Sequence, residues 1–165
     1  MSEGTEGRGR AAGPAGARPL EGKRILVTGA TNGVGRAAAR ELVRRGATAW
    51  IVARDRRRGE ETLDELRRAG GAAPALFVAD LSSQAEVRRL AEEVKARTDR
   101  LHVLLNNAGA IFLERRLSPE GIELTFALNH LGYFLLTDLL RDLIVRSAPA
   151  RIVTVASIGH RPMSN

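Results

Sequence analysis

The sequence predicts a doubly wound α/β fold, a parallel β-sheet with helices on both faces. Three observations carry this expectation. Short apolar runs rich in β-branched residues alternate with longer segments of helical spacing. The apolar runs are nearly continuous rather than alternating with polar residues, as befits strands buried on both faces. Glycines stand where a strand would turn into a helix and where the helices would stop. Strands joined by helices fit parallel pairing, because each crossover lays a helix over the sheet.

Taken in order, "KRILVTG" (Lys23 to Gly29) reads as the first strand, and "GRAAARELVRRG" (Gly35 to Gly46) as a helix with a glycine stop. "TAWIVAR" is the second strand, "RRGEETLDELRRAGG" a polar-faced helix with its own glycine stop, and "APALFVAD" the third strand. "SSQAEVRRLAEEVKAR" is a helix with serine near its start, where a hydroxyl can accept a bond from an unpaired backbone N–H. The strand "LHVLLNNAG" follows, then a loop, a long helical region from about Ser118 to Arg146, and the strand "ARIVTVAS". Five strands thus alternate with four helical segments, and no longer internal repeat is visible.

At 165 residues and 44% apolar content, the chain has the size of one domain with a real core. Residues 1–19 are expected to be a disordered tail, since Gly, Ala and Pro supply 11 of them, and the dinucleotide-binding domain argued for below is expected over 20–165. The tail lacks the apolar core of a secretion signal, so a cytoplasmic location is the default expectation. No segment reaches the roughly 18 uncharged apolar residues of a membrane span, and the best candidate, Leu131 to Val145, is interrupted by Asp138, Arg141 and Asp142. The absence of cysteine excludes disulfides and thiolate metal or redox sites, and no other metal site is expected. The formal charge of +7 invites a polyanion, but the basic residues, 24 of 26 of them arginine, are interleaved with acids along helices. That spread argues against nucleic acid as a partner.

The first strand-to-helix turn, "TGATNGVG" (Thr28 to Gly35), carries glycines at 29, 33 and 35. Such glycines allow a sharp turn and close approach of backbone to a pyrophosphate, which the unpaired N–H groups at the helix start would bind. Glycines also permit a turn with no ligand, so position matters, and here the turn follows a strand and precedes a helix. The end of the second strand should then meet the adenosine ribose. An acidic residue there would bind the hydroxyls of NAD, whereas a basic one would pair with the 2′-phosphate of NADP. The sequence reads "IVARDRRR", with Ala53 at the expected acidic position and Arg54 next, so NADP is favoured over NAD. Asp55 competes, but it lies one step further into the loop between Arg54 and Arg56.

With "TGATNGVG", "ADLSS" (Ala79 to Ser83), "NNAG" (Asn106 to Gly109), "LNHLG" (Leu128 to Gly132) and "IVTVAS" (Ile152 to Ser157) in this order, the chain resembles the short-chain dehydrogenases/reductases. The resemblance runs from about Leu20 to the last residue. "VARDRRRGEE" and "LNHLGYF" look most like the retinol-dehydrogenase-like branch and its protochlorophyllide-reductase relatives. The family implies a Rossmann-type sheet and hydride transfer between a nicotinamide and a small-molecule carbonyl or alcohol. It implies that Gly29, Gly33 and Gly35 hold the pyrophosphate, with Thr31, Asn32 and Val34 lining the turn. Asp80 would bond the adenine amino group with Leu81 beside the ring, and Asn107, Ala108 and Gly109 would run along the cofactor. Asn129 would hold a water of the proton relay, and Ser157 would orient the substrate oxygen. Each has a plainer reading: Asp80 as a helix-start acceptor, Asn129 as a backbone-bonded helix residue, Ser157 as a strand-end serine.

The family's tyrosine and lysine, four residues apart on a helix roughly a dozen residues past the serine, have no counterpart here. The one tyrosine is Tyr133, with no lysine four positions on, and no lysine follows Lys95. Without that ammonium a phenol of pKa about 10 is a poor base at neutral pH. His160 lacks an orienting partner and reads as ordinary surface. The expectation is therefore the front part of an oxidoreductase, with a sheet incomplete at its C-terminal side and an apolar fifth strand at its edge. The competing expectation is a non-catalytic NADP(H)-binding module, or a partner-binding relative. Self-association, if present, would use the 118–146 helix.

Overall fold

A computed structural model describes residues 18–157. The expected tail, save Arg18 and Pro19, and His160 lie outside them.

Five parallel strands form one sheet: β1 (Arg24–Thr28), β2 (Thr48–Ala53), β3 (Ala75–Val78), β4 (Val103–Asn106) and β5 (Arg151–Thr154), in the order β3-β2-β1-β4-β5. The central strand β1 aligns Val27 with Ile51 on one side and with Leu105 on the other. Its side chains explain why an uninterrupted apolar run was needed. Leu26 joins Trp50, Val52 and Phe77 in a core with the helices α3 (Gln84–Arg97) and α5 (Gly132–Arg146), including Leu90, Val94, Leu136 and Leu140. Ile25 and Val27 project into the opposite core with α1 (Gly33–Arg44) and α2 (Arg56–Arg68), including Ala39, Val43, Leu63 and Leu66. Successive strand residues serve opposite faces, so both parities must be apolar.

Local chemistry starts the helices. Asp55 caps α2 by accepting from the Arg58 N–H at 2.9 Å, and the pairs Arg56–Glu60 and Arg57–Glu61 run down its exposed side at one-turn spacing. Ser83 caps α3, and Glu120 reaches in from a later loop to accept from the Gln84 N–H at 2.8 Å.

The last helical region differs from expectation. It starts at Leu124 rather than near Ser118, as a short turn α4 (Leu124–Phe126), a π-helical turn (Ala127–Leu131) and then α5. Residues 118–123 form a tight loop instead. The Ser118 N–H donates to the Ile122 carbonyl at 2.7 Å, and its hydroxyl accepts from the Glu120 and Ile122 N–H groups. A serine that bonds the local backbone competes with helix, and Pro119 with Gly121 at φ +78° completes the turn. Glu123 then caps the true start, accepting from Thr125 and Phe126 at 2.8 Å each.

Strand β5 pairs with β4 alone among the described residues, and Ile152 and Val153 are 46% and 43% exposed. No helix among the described residues is long and apolar enough to cross a membrane.

Candidate functional site

Parallel strands all end on one side, and at β1 and β4 the connections depart to opposite faces of the sheet. The divergence opens a crevice at the strand ends. A cleft of about 410 Å³ lies there. Gly29, Thr31, Asn32, Val34, Gly35, Arg54, Asp80, Leu81, Asn107, Ala108 and Gly109 all line it. Of the other residues singled out from sequence, Gly33, Asn129 and Ser157 are not among the lining residues.

The glycine turn is held against the end of β4. Gly29 has φ +65°, and a Cβ there would come within 2.6 Å of the Ala108 Cα. A Cβ on Gly35 would collide with the Gly29 carbonyl oxygen and the Asn107 side-chain nitrogen. Gly33 also has a positive φ, +48°, but faces open space. The buried Thr28 hydroxyl fixes the junction: it accepts from the Asn107 and Ala108 N–H groups at 2.8 and 3.0 Å and donates to the Leu105 carbonyl at 3.2 Å. The Asn107 side chain donates to the carbonyls of Thr28 and Gly29 at 3.0 and 3.2 Å. At the start of α1 the Asn32 side chain caps none of the N–H groups, and no acidic residue occupies the first turn. That helix end is left with its positive dipole uncompensated beside the cleft.

At the end of β2 the arginine cluster divides into two kinds. Arg56 and Arg57 are paired with Glu60 and Glu61. Arg54 and Arg58 line the cleft, and neither has an ion pair among the described residues. The Asp55 carboxylate is engaged as the α2 cap. Arg58 escaped the sequence reading.

At the end of β3, Asp80 Oδ1 accepts from the Ser82 N–H and hydroxyl at 2.9 and 2.7 Å. No protein donor among the described residues reaches its second carboxylate oxygen.

Beyond β4, the kinked helix grips the chain. Asn129 accepts from the Ala110 N–H at 3.0 Å and donates to the Ala110 carbonyl at 2.8 Å. Each polar group of its side chain thereby makes one bond to the backbone of Ala110. Tyr133 donates its hydroxyl to the Ala108 carbonyl, and burial pushes its phenol up to about 12. Phe112 and Leu128 give this end of the cleft an apolar wall. Ser157 follows β5, whose exit is pinned by the Val155 N–H donating to the Asn106 carbonyl at 2.9 Å. No cluster of potential metal ligands occurs among the described residues.

Comparison with known proteins gives this geometry its relatives. A family model described as short chain dehydrogenase matches residues 23–164. Retinol dehydrogenase 12 of Mus musculus is 42% identical over 142 residues, covering 86% of this chain and 45% of that protein. The Pseudomonas aeruginosa RhlG/NADP active-site complex superposes with a TM-score of 0.76 at 34% identity, covering 90% of this chain and 60% of that one. The NADH-dependent reductase A1-R′ complexed with NAD gives 0.75 at 33% identity, covering 90% and 65%. The chain spans about half the length of the curated relatives it matches, 45% in the case above.

Proposed function

Because the chain belongs to the short chain dehydrogenase family, we propose that it provides the nucleotide-binding region of an oxidoreductase that moves hydride between a nicotinamide and a carbonyl or alcohol carbon, with NADP(H) preferred to NAD(H). The observation that carries this reading is the cradle at Gly29 and Gly35, where a side chain on Gly29 would strike the Ala108 backbone and one on Gly35 would strike the Asn107 side chain and the Gly29 carbonyl. It sits beside an uncapped helix start and two cleft-lining arginines that have no ion pair among the described residues.

The nicotinamide supplies the hydride. The protein's part is to bind and orient. The Gly29–Gly35 turn and the first N–H groups of α1 suit a pyrophosphate. Arg54 and Arg58 suit the 2′-phosphate, while Asp55, which also lines the cleft, spends one carboxylate oxygen on the α2 cap. The unbonded oxygen of Asp80 suits the adenine amino group, with Leu81 beside the ring. Asn107, Ala108 and Gly109 would lie along the cofactor, Ser157 would orient the substrate oxygen, and Asn129 would act by fixing the backbone at Ala110. We assign no proton transfer to Tyr133, whose hydroxyl is bonded to Ala108 and whose phenol ionises less readily than usual.

Titration with NADPH and NADH, followed by reduced-nicotinamide fluorescence, tests the reading. NADPH should bind at least about tenfold more tightly, since charge-assisted hydrogen bonds contribute about 1.5–3 kcal/mol each. Binding of neither would overturn it. The relative's name makes retinol and retinaldehyde the first substrates to assay. Binding without turnover of any aldehyde or ketone would favour the non-catalytic module.

A further inference from the structure

The segment Ala108–Ala110 is held from two directions. On the β1 side, the Ala108 N–H donates to the Thr28 hydroxyl at 3.0 Å, and Ala108 packs against Gly29. On the helix side, Asn129 takes both backbone groups of Ala110, and Tyr133 takes the carbonyl of Ala108. Asn129 and Tyr133 are four residues apart, and the π-helical turn Ala127–Leu131 lies around the first of them. The two side chains therefore rise from one side of a locally widened helix, a distortion often found at functional sites. Between their targets lies Gly109, where a Cβ would be 3.3 Å from the Asn129 Oδ1 and 3.9 Å from the Tyr133 hydroxyl oxygen.

We infer that Tyr133 is a cofactor-positioning residue: with Asn129 it clamps Ala108–Ala110 and keeps the Ala108 carbonyl turned to the helix, so that the β4 side of the cleft accepts the half of a dinucleotide beyond its pyrophosphate. The inference rests on the nucleotide-binding reading above. Released from the phenol, that carbonyl is free to turn its negative end toward the cleft, against an anionic ligand. The effect is local by construction. Arg54 and Asp80 stand just past the ends of β2 and β3 and Arg58 in the first turn of α2, on the far side of β1 from Ala108. A ligand confined to the β2 and β3 side should not register the change.

The test measures binding of NADPH and of adenosine 2′,5′-bisphosphate by calorimetry to the 165-residue chain and to Tyr133→Phe, which removes the donor and keeps the ring. NADPH should bind about three- to tenfold more weakly to the variant, the worth of one hydrogen bond, while the bisphosphate changes by less than about twofold. Gly109→Ala, whose Cβ would press on the Asn129 arm at 3.3 Å without removing a hydroxyl, should reproduce that selectivity. Unchanged NADPH binding in Tyr133→Phe, or equal loss of both ligands, would overturn the inference while leaving the nucleotide-binding reading intact. Failure of the wild-type chain to bind either ligand would overturn both.

Discussion

Replacing Gly29, Gly33 and Gly35 by alanine, one at a time, separates the two physical demands that the turn makes on its glycines. Gly33 has a positive φ with nothing near its missing Cβ, so Gly33→Ala bears only the left-handed backbone penalty of about 1–2 kcal/mol. Loss of unfolded-chain entropy offsets that by about 0.4–1 kcal/mol. Gly35 needs no left-handed backbone, but its Cβ would meet the Gly29 carbonyl and the Asn107 side chain, and overpacking of this kind costs about 1–3 kcal/mol. Gly29 bears both demands, since its φ is +65° and the obstacle is the Ala108 Cα, backbone that cannot swing aside. Adding the two penalties gives about 2–5 kcal/mol for Gly29→Ala, a large share of the ~5–15 kcal/mol that stabilises a typical domain. Urea unfolding followed by the fluorescence of Trp50, the single tryptophan, measures each loss. The expected order is Gly29 largest, Gly35 intermediate, Gly33 smallest. A Gly33→Ala loss equal to that of Gly29→Ala, or a Gly29→Ala loss under about 0.5 kcal/mol, would refute the account of backbone pressed on backbone.

Arg54→Ala and Arg58→Ala should each weaken NADPH about tenfold and leave NADH nearly unchanged in the fluorescence titration, as expected for charge-assisted bonds to one phosphate; equal losses for both nucleotides would remove the 2′-phosphate assignment. His102 accepts the Arg24 N–H on Nδ1 at 3.0 Å, and burial first, then Lys23, Arg100 and Arg24, hold its pKa below the ordinary value of about 6.5. The unfolded chain therefore protonates first as pH falls: stability is full above about pH 6.5, declines below it, and levels off beneath the folded pKa. His102→Asn, which keeps an acceptor but does not titrate, should flatten this slope in urea unfolding at pH 5 to 7.5, and an unchanged slope would count against it. Ser147 is buried, accepts the Leu101 N–H at 2.7 Å and donates to the Leu143 carbonyl at 2.7 Å. Ser147→Ala should cost about 1–3 kcal/mol in the same assay by orphaning the Leu101 donor, and a loss within about 0.5 kcal/mol would show that it finds another acceptor.

The strands and the first three helices were legible because both cores demand the same thing of them. A strand covered on both faces must be apolar at each parity, and a helix on one face must repeat at 3.6 residues, as α1 does with Gly35, Ala39 and Val43. The start of the last helix was less legible. Ser118 carries an ordinary helix-start signal, but its hydroxyl serves a turn, and the capping is done by Glu123, a residue type that rarely advertises a cap. At the site, the glycines announced themselves through rare backbone geometry. Arg58 did not, since counting charges cannot show which arginines of a cluster already have partners. The Tyr133 contact was hidden for a different reason: it joins residues 25 apart through a π-helical turn that no periodic pattern in the sequence marks.

The central place of β1 fixes an order of events as the chain is made. Thr28 and Asn107 are 79 positions apart, so at synthesis rates of about 5–20 residues per second some 4–16 s separate their appearance. During that interval β1 has β2 for a neighbour on one edge and nothing on the other. The glycine turn exists by then, but the backbone against which it is shaped has yet to emerge. The most conspicuous motif of the sequence therefore waits about half the length of the chain for the backbone that shapes it, and a nascent chain halted before β4 would carry the glycine turn without that backbone.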